Sequence, residues 1–182
     1  MPQSSPGLPR TGAWQDALRN AVRNAAELAA DLELPASAIA PDAGFPLLVP
    51  RGFVARMRKG DARDPLLLQV LPRTEEQMAA PGFTADPVRE QAAADGGVLQ
   101  KYAGRALLIT TGACPVHCRY CFRRAFPYEA QLAARADWGP ALEALAGRAD
   151  VTEVILSGGD PLSLSNSRLA RLLEHLERLP RL

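Results

Sequence analysis

The chain has 182 residues, of which 47% are hydrophobic and 23% charged, and 21 basic residues against 20 acidic ones leave a net charge of +1. This length and composition are sufficient for one substantial hydrophobic core. The near balance of charge creates no field that would attract nucleic acid or an anionic membrane, so neither is an expected partner.

Residues 1–12 are polar and rich in proline, and we predict that they form a disordered leader. They lack the apolar centre of a signal peptide, and no apolar run in the chain approaches the length of a membrane span. The sequence therefore predicts a soluble, cytoplasmic protein.

An amphipathic helix is predicted over about 13–31, because apolar residues in this stretch recur on one helical face. It opens a mostly helical N-terminal region that we predict to extend over residues 13–99.

Seven prolines interrupt the chain between residues 40 and 97. Short helices around 52–59 and 64–70, joined by ordered loops, fit this pattern. Apolar residues such as Phe45 and Leu67 need a cover, so the stretch is not predicted to be a flexible linker.

Two short apolar runs, Arg105–Thr111 and Val151–Ser157, predict buried parallel strands. A helix capped by Asp137 is expected between them, and a second helix over about 165–179 follows. This order corresponds to two βα units of an α/β fold. Two parallel strands cannot cover both faces of a sheet, so we predict that residues 100–182 begin a longer barrel whose remainder is absent.

The three cysteines, Cys114, Cys118 and Cys121, lie within eight residues in the pattern C-x3-C-x2-C. A disulfide framework would spread its cysteines along the chain. Three thiolates from one short loop suit three irons of a cubane cluster and leave the fourth iron open. The alternatives are a zinc site with His117 as fourth ligand, and three unrelated buried cysteines. His117 and Cys118 are adjacent and would not easily face one ion, which favours the open cluster.

A second motif, Ser157-Gly158-Gly159-Asp160, follows the second predicted strand. Alone it is an ordinary strand-to-helix turn. Two glycines permit a close backbone approach, and Asp160 adds negative charge beside them. Its place after a strand that follows the cysteine loop favours a cofactor-binding role.

The cysteine spacing, with the aromatic Tyr120 before the last cysteine, resembles the radical S-adenosylmethionine superfamily. The resemblance implies a 4Fe-4S cluster on the three cysteines, whose open iron binds S-adenosylmethionine and whose electron cleaves it to a 5′-deoxyadenosyl radical. It places Tyr120 near the adenine, and Ser157–Asp160 at the amino group of S-adenosylmethionine. It also implies a TIM-like (β/α) barrel, whose sites lie at the C-terminal ends of the strands.

Longer stretches resemble the lysine 2,3-aminomutase family within this superfamily. They are Asp64–Pro72, Ala80–Pro87, Lys101–Thr110, Cys118–Arg124 and Leu156–Leu162. The stretch Arg119–Tyr128 is most similar to the bacterial branch that makes β-lysine for elongation factor P.

This resemblance implies an isomerase that converts L-α-lysine to β-lysine with pyridoxal phosphate as a further cofactor. By resemblance, Arg123 binds the lysine carboxylate, which a guanidinium matches bidentately. Lys101, Tyr102 and Arg105 are implied at the phosphate of pyridoxal phosphate. An electron donor such as flavodoxin or ferredoxin is implied as a partner, while the sequence does not indicate the oligomeric state.

The catalytic lysine that would bind pyridoxal phosphate is expected beyond Leu182. The chain has two lysines, Lys59 and Lys101. Lys59 is predicted at an exposed basic helix end, where its pKa stays too high for easy imine formation, and Lys101 is predicted to precede the first strand. The 182 residues alone are therefore expected not to convert α-lysine to β-lysine. An iron–sulfur module for electron transfer or structure, and a different radical enzyme such as an activase or methylthiotransferase, remain the alternatives.

Overall fold

The computed structural model describes residues 13–38, 40, 44–90, 94–131 and 137–182, so the leader predicted over residues 1–12 lies outside the described residues. The chain forms two compact units. The first comprises the residues up to Met78 together with Pro115–Tyr120, and the second comprises Ala79–Cys114 together with Cys121–Leu182.

The N-terminal stretch of the first unit contains two helices, α1 (Ala13–Arg19) and α2 (Ala25–Asp31), so the prediction of one helix over 13–31 was wrong. Val22 separates them by pairing with Val49 in an isolated antiparallel bridge, with N–O distances of 2.8 and 2.9 Å. The Asn24 side chain then accepts hydrogen bonds from the amides of Ala26 and Glu27 and caps α2. A local cap and a tertiary bridge therefore override the continuous helical periodicity.

The rest of the first unit is built from short elements. They are 3₁₀ helices at Ala36–Ala38, Leu67–Gln69 and Thr74–Gln77, and the helix α3 (Arg51–Val54). The helices predicted around 52–59 and 64–70 exist in shorter form. The Asp64 carboxylate accepts from the amides of Leu66 and Leu67, and these backbone hydrogen bonds, Leu67's first, lower the pKa of Asp64.

These short elements enclose a hydrophobic core, which buries many of the apolar residues that were expected to need a cover. It includes Leu28 and Leu32 of α2 together with Val22, Leu47, Val49, Val54, Leu67, Val70 and Leu71.

The second unit contains a four-stranded sheet in the order β1-β2-β3-β4. Its strands are β1 (Ala94–Asp95), β2 (Val98–Tyr102), β3 (Arg105–Thr111) and β4 (Glu153–Gly158). The two predicted strands are confirmed as β3 and β4, and they pair in parallel with Ile109 opposite Ser157.

Strands β1 and β2 were not predicted, and both pairs β1–β2 and β2–β3 are antiparallel. Tyr102 lies opposite Arg105, so β2 and β3 form a hairpin around Ala103 and Gly104, and Gly104 takes a φ of +78°. Lys101 therefore belongs to a strand instead of preceding the first one. We predicted that a helical region ends at residue 99 and a βα core begins at residue 100. Strands β1 and β2 lie around this boundary, and the division itself stays a prediction.

Three α-helices belong to the second unit: α4 (Tyr128–Gln131), α5 (Gly139–Ala146) and α6 (Asn166–Glu177). A 3₁₀ helix at Pro161–Ser163 precedes α6. The last predicted helix is confirmed, and the Ser165 hydroxyl caps it by accepting from the amide of Arg168.

The capping role predicted for Asp137 was wrong. Helix α5 begins after Trp138, whose side chain makes no capping hydrogen bond, and the Asp137 carboxylate pairs instead with Arg171 at 2.5 Å. The fully buried Trp138 ring belongs to the core that α5 and α6 form on one face of the sheet, and this packing fixes the start of α5.

The succession β3, α5, β4 and α6 gives the two βα units predicted, within a mixed α/β fold. Their continuation into a TIM-like barrel stays a prediction. Among the described residues, no helix combines the length and apolar character needed to span a membrane.

Candidate functional site

The loop that carries the cysteines begins where β3 ends. Gly112 follows the strand, and a Cβ atom there would lie 3.1 Å from Cγ of Tyr128. The absence of a side chain at Gly112 makes room for the Tyr128 ring. The Tyr128 hydroxyl donates to the Gly158 carbonyl oxygen at 2.9 Å, and burial raises the pKa of Tyr128 to about 12.

The three predicted cluster ligands are half-buried cysteines that form no disulfide. This donor set fits an iron–sulfur cluster chemically, because the thiols are not consumed by a disulfide and are reachable from solvent. Among the described residues, no three His, Cys, Asp or Glu side chains are gathered in a group that could hold a metal ion. The convergence of the three thiols on one cluster therefore stays a prediction from the motif.

Tyr120 exposes 71% of its surface and lies beside Cys118. The negative charge of the Cys118 thiolate, followed by a hydrogen bond to the same sulfur, raises the pKa of Tyr120. The ring is thus open to a ligand, while its contact with the adenine stays a prediction.

The glycine motif packs directly on the residues that lead into the cysteine loop. The amide of Gly159 donates to the Thr111 carbonyl oxygen at 2.6 Å, and the amide of Asp160 donates to that of Ala113 at 2.8 Å. A Cβ atom on Gly158, whose φ is +113°, would lie 2.3 Å from the Thr111 oxygen, and one on Gly159 would lie 2.2 Å from the Ala113 oxygen. The two glycines therefore permit a close approach of the protein backbone, and the approach of a cofactor to them stays a prediction.

The polar side chains of this motif have partners within the second unit. Asp160 accepts from the amide of Leu162 at 2.9 Å and so caps the 3₁₀ helix. The Ser157 hydroxyl accepts a hydrogen bond from Arg123 at 2.7 Å.

Arg123, the predicted ligand of the substrate carboxylate, is buried in an ion pair. Its Nε and Nη2 donate to the two carboxylate oxygens of Glu90 at 2.6 and 3.1 Å, and the side chains are 7% and 6% exposed. Lys101 joins them, with its Nζ 3.4 Å from Glu90 and 2.7 Å from the Val88 carbonyl oxygen. Glu90 thus forms ion pairs with Arg123 and Lys101, two residues that were predicted to bind substrate and cofactor.

Sequence reasoning did not identify Glu90. The one available signal was indirect, since a buried Arg123 requires a carboxylate partner.

Tyr102 and Arg105 lie away from this buried network. Arg105 pairs with Glu153 at 2.8 Å, and both side chains of that pair are half exposed. Tyr102 lies opposite Arg105 and is 68% exposed. The three residues therefore form no open phosphate site as the structure stands.

Comparisons with known proteins find similar sequences, although no family model matches the chain. It is 48% identical to an L-lysine 2,3-aminomutase of Escherichia coli K12 over 136 residues, and 40% identical to the L-lysine 2,3-aminomutase of Haemophilus influenzae over 174 residues. Along most of its own length the chain is therefore similar to proteins named L-lysine 2,3-aminomutase.

A third relative, the L-lysine 2,3-aminomutase of Buchnera aphidicola, is 40% identical over 136 residues. The aligned parts cover 75%, 93% and 74% of this chain and 40%, 52% and 40% of the three relatives, respectively. The chain thus spans about half or less of the length of these aminomutases, and the aligned part includes most of the chain.

Proposed function

We propose that the chain provides the cluster and S-adenosylmethionine-binding part of a radical lysine 2,3-aminomutase, an isomerase that converts L-α-lysine to β-lysine. The observation that supports this most strongly is the set of three half-buried cysteines, none of them in a disulfide, in C-x3-C-x2-C spacing, in a chain 40–48% identical to L-lysine 2,3-aminomutases.

In this proposal Cys114, Cys118 and Cys121 each bind one iron of a 4Fe-4S cluster. When bound, such a cluster supplies the electron that cleaves S-adenosylmethionine and so provides the radical for hydrogen abstraction. The protein leaves the fourth iron without a thiolate and holds the loop at the end of β3, where barrel enzymes keep their active sites.

The residues proposed to bind S-adenosylmethionine have separate tasks. The exposed Tyr120 ring offers a surface on which an adenine can stack. Gly158 and Gly159 hold the end of β4 against the residues before Cys114, and thereby fix the backbone to which the amino group would bind. Ser157 and Asp160 flank the two glycines at the end of β4, and Asp160 adds negative charge that suits the amino group.

Arg123 is proposed to bind the lysine carboxylate. It is already neutralised by Glu90, so substrate would have to share or replace that carboxylate. The bidentate contact with Glu90 supports this role, because it is the geometry in which a guanidinium binds a carboxylate.

Pyridoxal phosphate is implied by the family, and Lys101, Tyr102 and Arg105 are its proposed phosphate contacts. The structure does not fit an open phosphate site, since Lys101 and Arg105 each pair with a carboxylate. We therefore assign no step to these residues. Elongation factor P as the destination of β-lysine, and flavodoxin or ferredoxin as the electron donor, belong to the same proposal.

The proposal is tested by S-adenosylmethionine cleavage. The chain is reconstituted anaerobically with iron and sulfide, reduced, and incubated with S-adenosylmethionine, and 5′-deoxyadenosine is quantified. We expect formation of 5′-deoxyadenosine with the natural chain and none with Cys118→Ala. A chain that holds four irons and is fully reduced, yet leaves the cofactor intact, would refute the radical function and favour an electron-transfer module.

A further inference from the structure

The middle of the cysteine loop is anchored in the first unit. The loop residues Pro115–Tyr120 pack with that unit, whereas Cys114 and Cys121 belong to the second one. Cys118 therefore lies in a segment that packs with the helical N-terminal part of the chain, a part to which the proposed function gives no role.

Two anchors precede Cys118. Val116 packs against the core of the first unit. The amide of His117 donates to the Leu48 carbonyl oxygen at 3.0 Å, and its Nδ1 lies 3.0 Å from the Pro46 carbonyl oxygen. A carbonyl oxygen only accepts hydrogen bonds, so Nδ1 carries a proton here. The ring centroid is also 5.4 Å from that of Phe45.

A stronger anchor follows Cys118 directly. The Arg119 guanidinium binds both carboxylate oxygens of Glu76, at 2.9 Å from Nε and 2.6 Å from Nη2. Its Nη1 donates to the Phe45 carbonyl oxygen at 2.8 Å, and the backbone amide of Arg119 donates to the Gln69 carbonyl oxygen at 2.7 Å. The Arg119 side chain is only 6% exposed, so these bonds are shielded from water.

We infer that Arg119, held by Glu76, is a positioning residue that fixes Cys118 for cluster binding. The inference rests on the proposed function, because it assigns a task towards the same cluster. Residues on both sides of Cys118 are fixed, which leaves its backbone little freedom. Glu76 neutralises the Arg119 charge at bonding distance, so the effect of Arg119 on the thiol is geometric.

The test compares three single variants of the chain. Arg119→Lys keeps the positive charge but loses the planar fork. Glu76→Gln removes the carboxylate that binds the fork. Glu153→Gln is the matched control, because it breaks the half-exposed ion pair with Arg105 in the second unit.

Two measurements are made on each variant. Iodoacetamide alkylation of the metal-free folded chain, followed by peptide mass analysis, gives a separate rate for each cysteine. Iron and sulfide content after anaerobic reconstitution gives cluster occupancy. We expect Arg119→Lys and Glu76→Gln to raise the alkylation rate of Cys118 several-fold, to leave Cys114 and Cys121 unchanged, and to lower the iron content. The control should match the natural chain in both measurements.

Unchanged Cys118 alkylation together with full iron content in Arg119→Lys and Glu76→Gln would overturn the inference. An equal rise at all three cysteines would also overturn it, because that result reports general loosening. If a single variant fails to fold, the neutral double variant Arg119→Gln/Glu76→Gln avoids an unpaired buried charge and gives the same readouts. Failure of the natural chain to take up iron would instead refute the proposed function, and selective Cys118 alkylation would still report on the anchor.

Discussion

Cys114, Cys118 and Cys121 are the residues on which the proposed chemistry depends. Replacing any one of them by alanine should abolish the cubane cluster, because each thiolate is needed for one iron. His117→Ala should retain it, since Val116 and Arg119 still anchor the loop. Iron content and visible absorption after anaerobic reconstitution measure both effects. Loss of bound metal in the single variant His117→Ala would support the alternative of a zinc site with His117 as the fourth ligand.

The buried Glu90 allows a second prediction at this scale. Glu90→Ala leaves the Arg123 charge unpaired in a buried position and should lower the free energy of unfolding by about 3–5 kcal/mol. Glu153→Ala breaks a half-exposed pair and should change it by about 1 kcal/mol or less. Urea unfolding followed by circular dichroism compares the two variants. Equal midpoints would show that the Arg123–Glu90 pair contributes nothing to stability.

Among single residues, the cysteines could be proposed as ligands because the motif gives their chemistry by residue type and spacing. Arg123 was proposed from the family resemblance, and both roles stay predictions. Glu90 could not, because its role depends on a tertiary contact with Arg123, 33 positions away. Tyr128 was likewise missed as a site residue, since its hydroxyl reaches Gly158 only after β3 and β4 have paired.

The turn after β4 yields a prediction at the scale of an element. Gly159→Ala places a Cβ atom 2.2 Å from the Ala113 carbonyl oxygen, so the backbone before Cys114 has to move. We expect lower iron content in Gly159→Ala before any S-adenosylmethionine is added. Gly52→Ala is the control, because nothing lies within 4 Å of a Cβ atom at Gly52. Normal iron content with loss of S-adenosylmethionine binding would show that Gly159 serves the cofactor alone.

Elements with a strong local signal were predicted well. Helix α6 has a hydrophobic stripe and a serine cap, and β3 and β4 are compact apolar runs. The break between α1 and α2 was missed because it depends on the bridge between Val22 and Val49. The hairpin of β2 was missed because Ala103-Gly104 is a weaker turn signal than Asn-Gly or Asp-Gly.

For the whole molecule, the proposed family activity needs a lysine that binds pyridoxal phosphate. Lys59 is exposed, and its hydrogen bond to Glu33 raises its pKa, which agrees with the prediction that it is a poor imine former. Lys101 is held by Glu90 and the Val88 carbonyl oxygen. We therefore expect no β-lysine from the 182-residue chain, and activity from a chain as long as its relatives.

Borohydride trapping after incubation with pyridoxal phosphate, followed by peptide mapping, checks this expectation. A specific adduct on Lys59 or Lys101, together with β-lysine formation by the 182-residue chain, would show that the catalytic lysine lies within this sequence.

The central claim is that the three thiols hold a cluster with one iron open to S-adenosylmethionine. Electron paramagnetic resonance of the reduced, reconstituted chain, recorded with and without saturating S-adenosylmethionine, tests it most directly. The account predicts about one cubane cluster per chain and a spectrum that changes when S-adenosylmethionine binds the open iron. A cluster whose spectrum is identical with and without S-adenosylmethionine would contradict it.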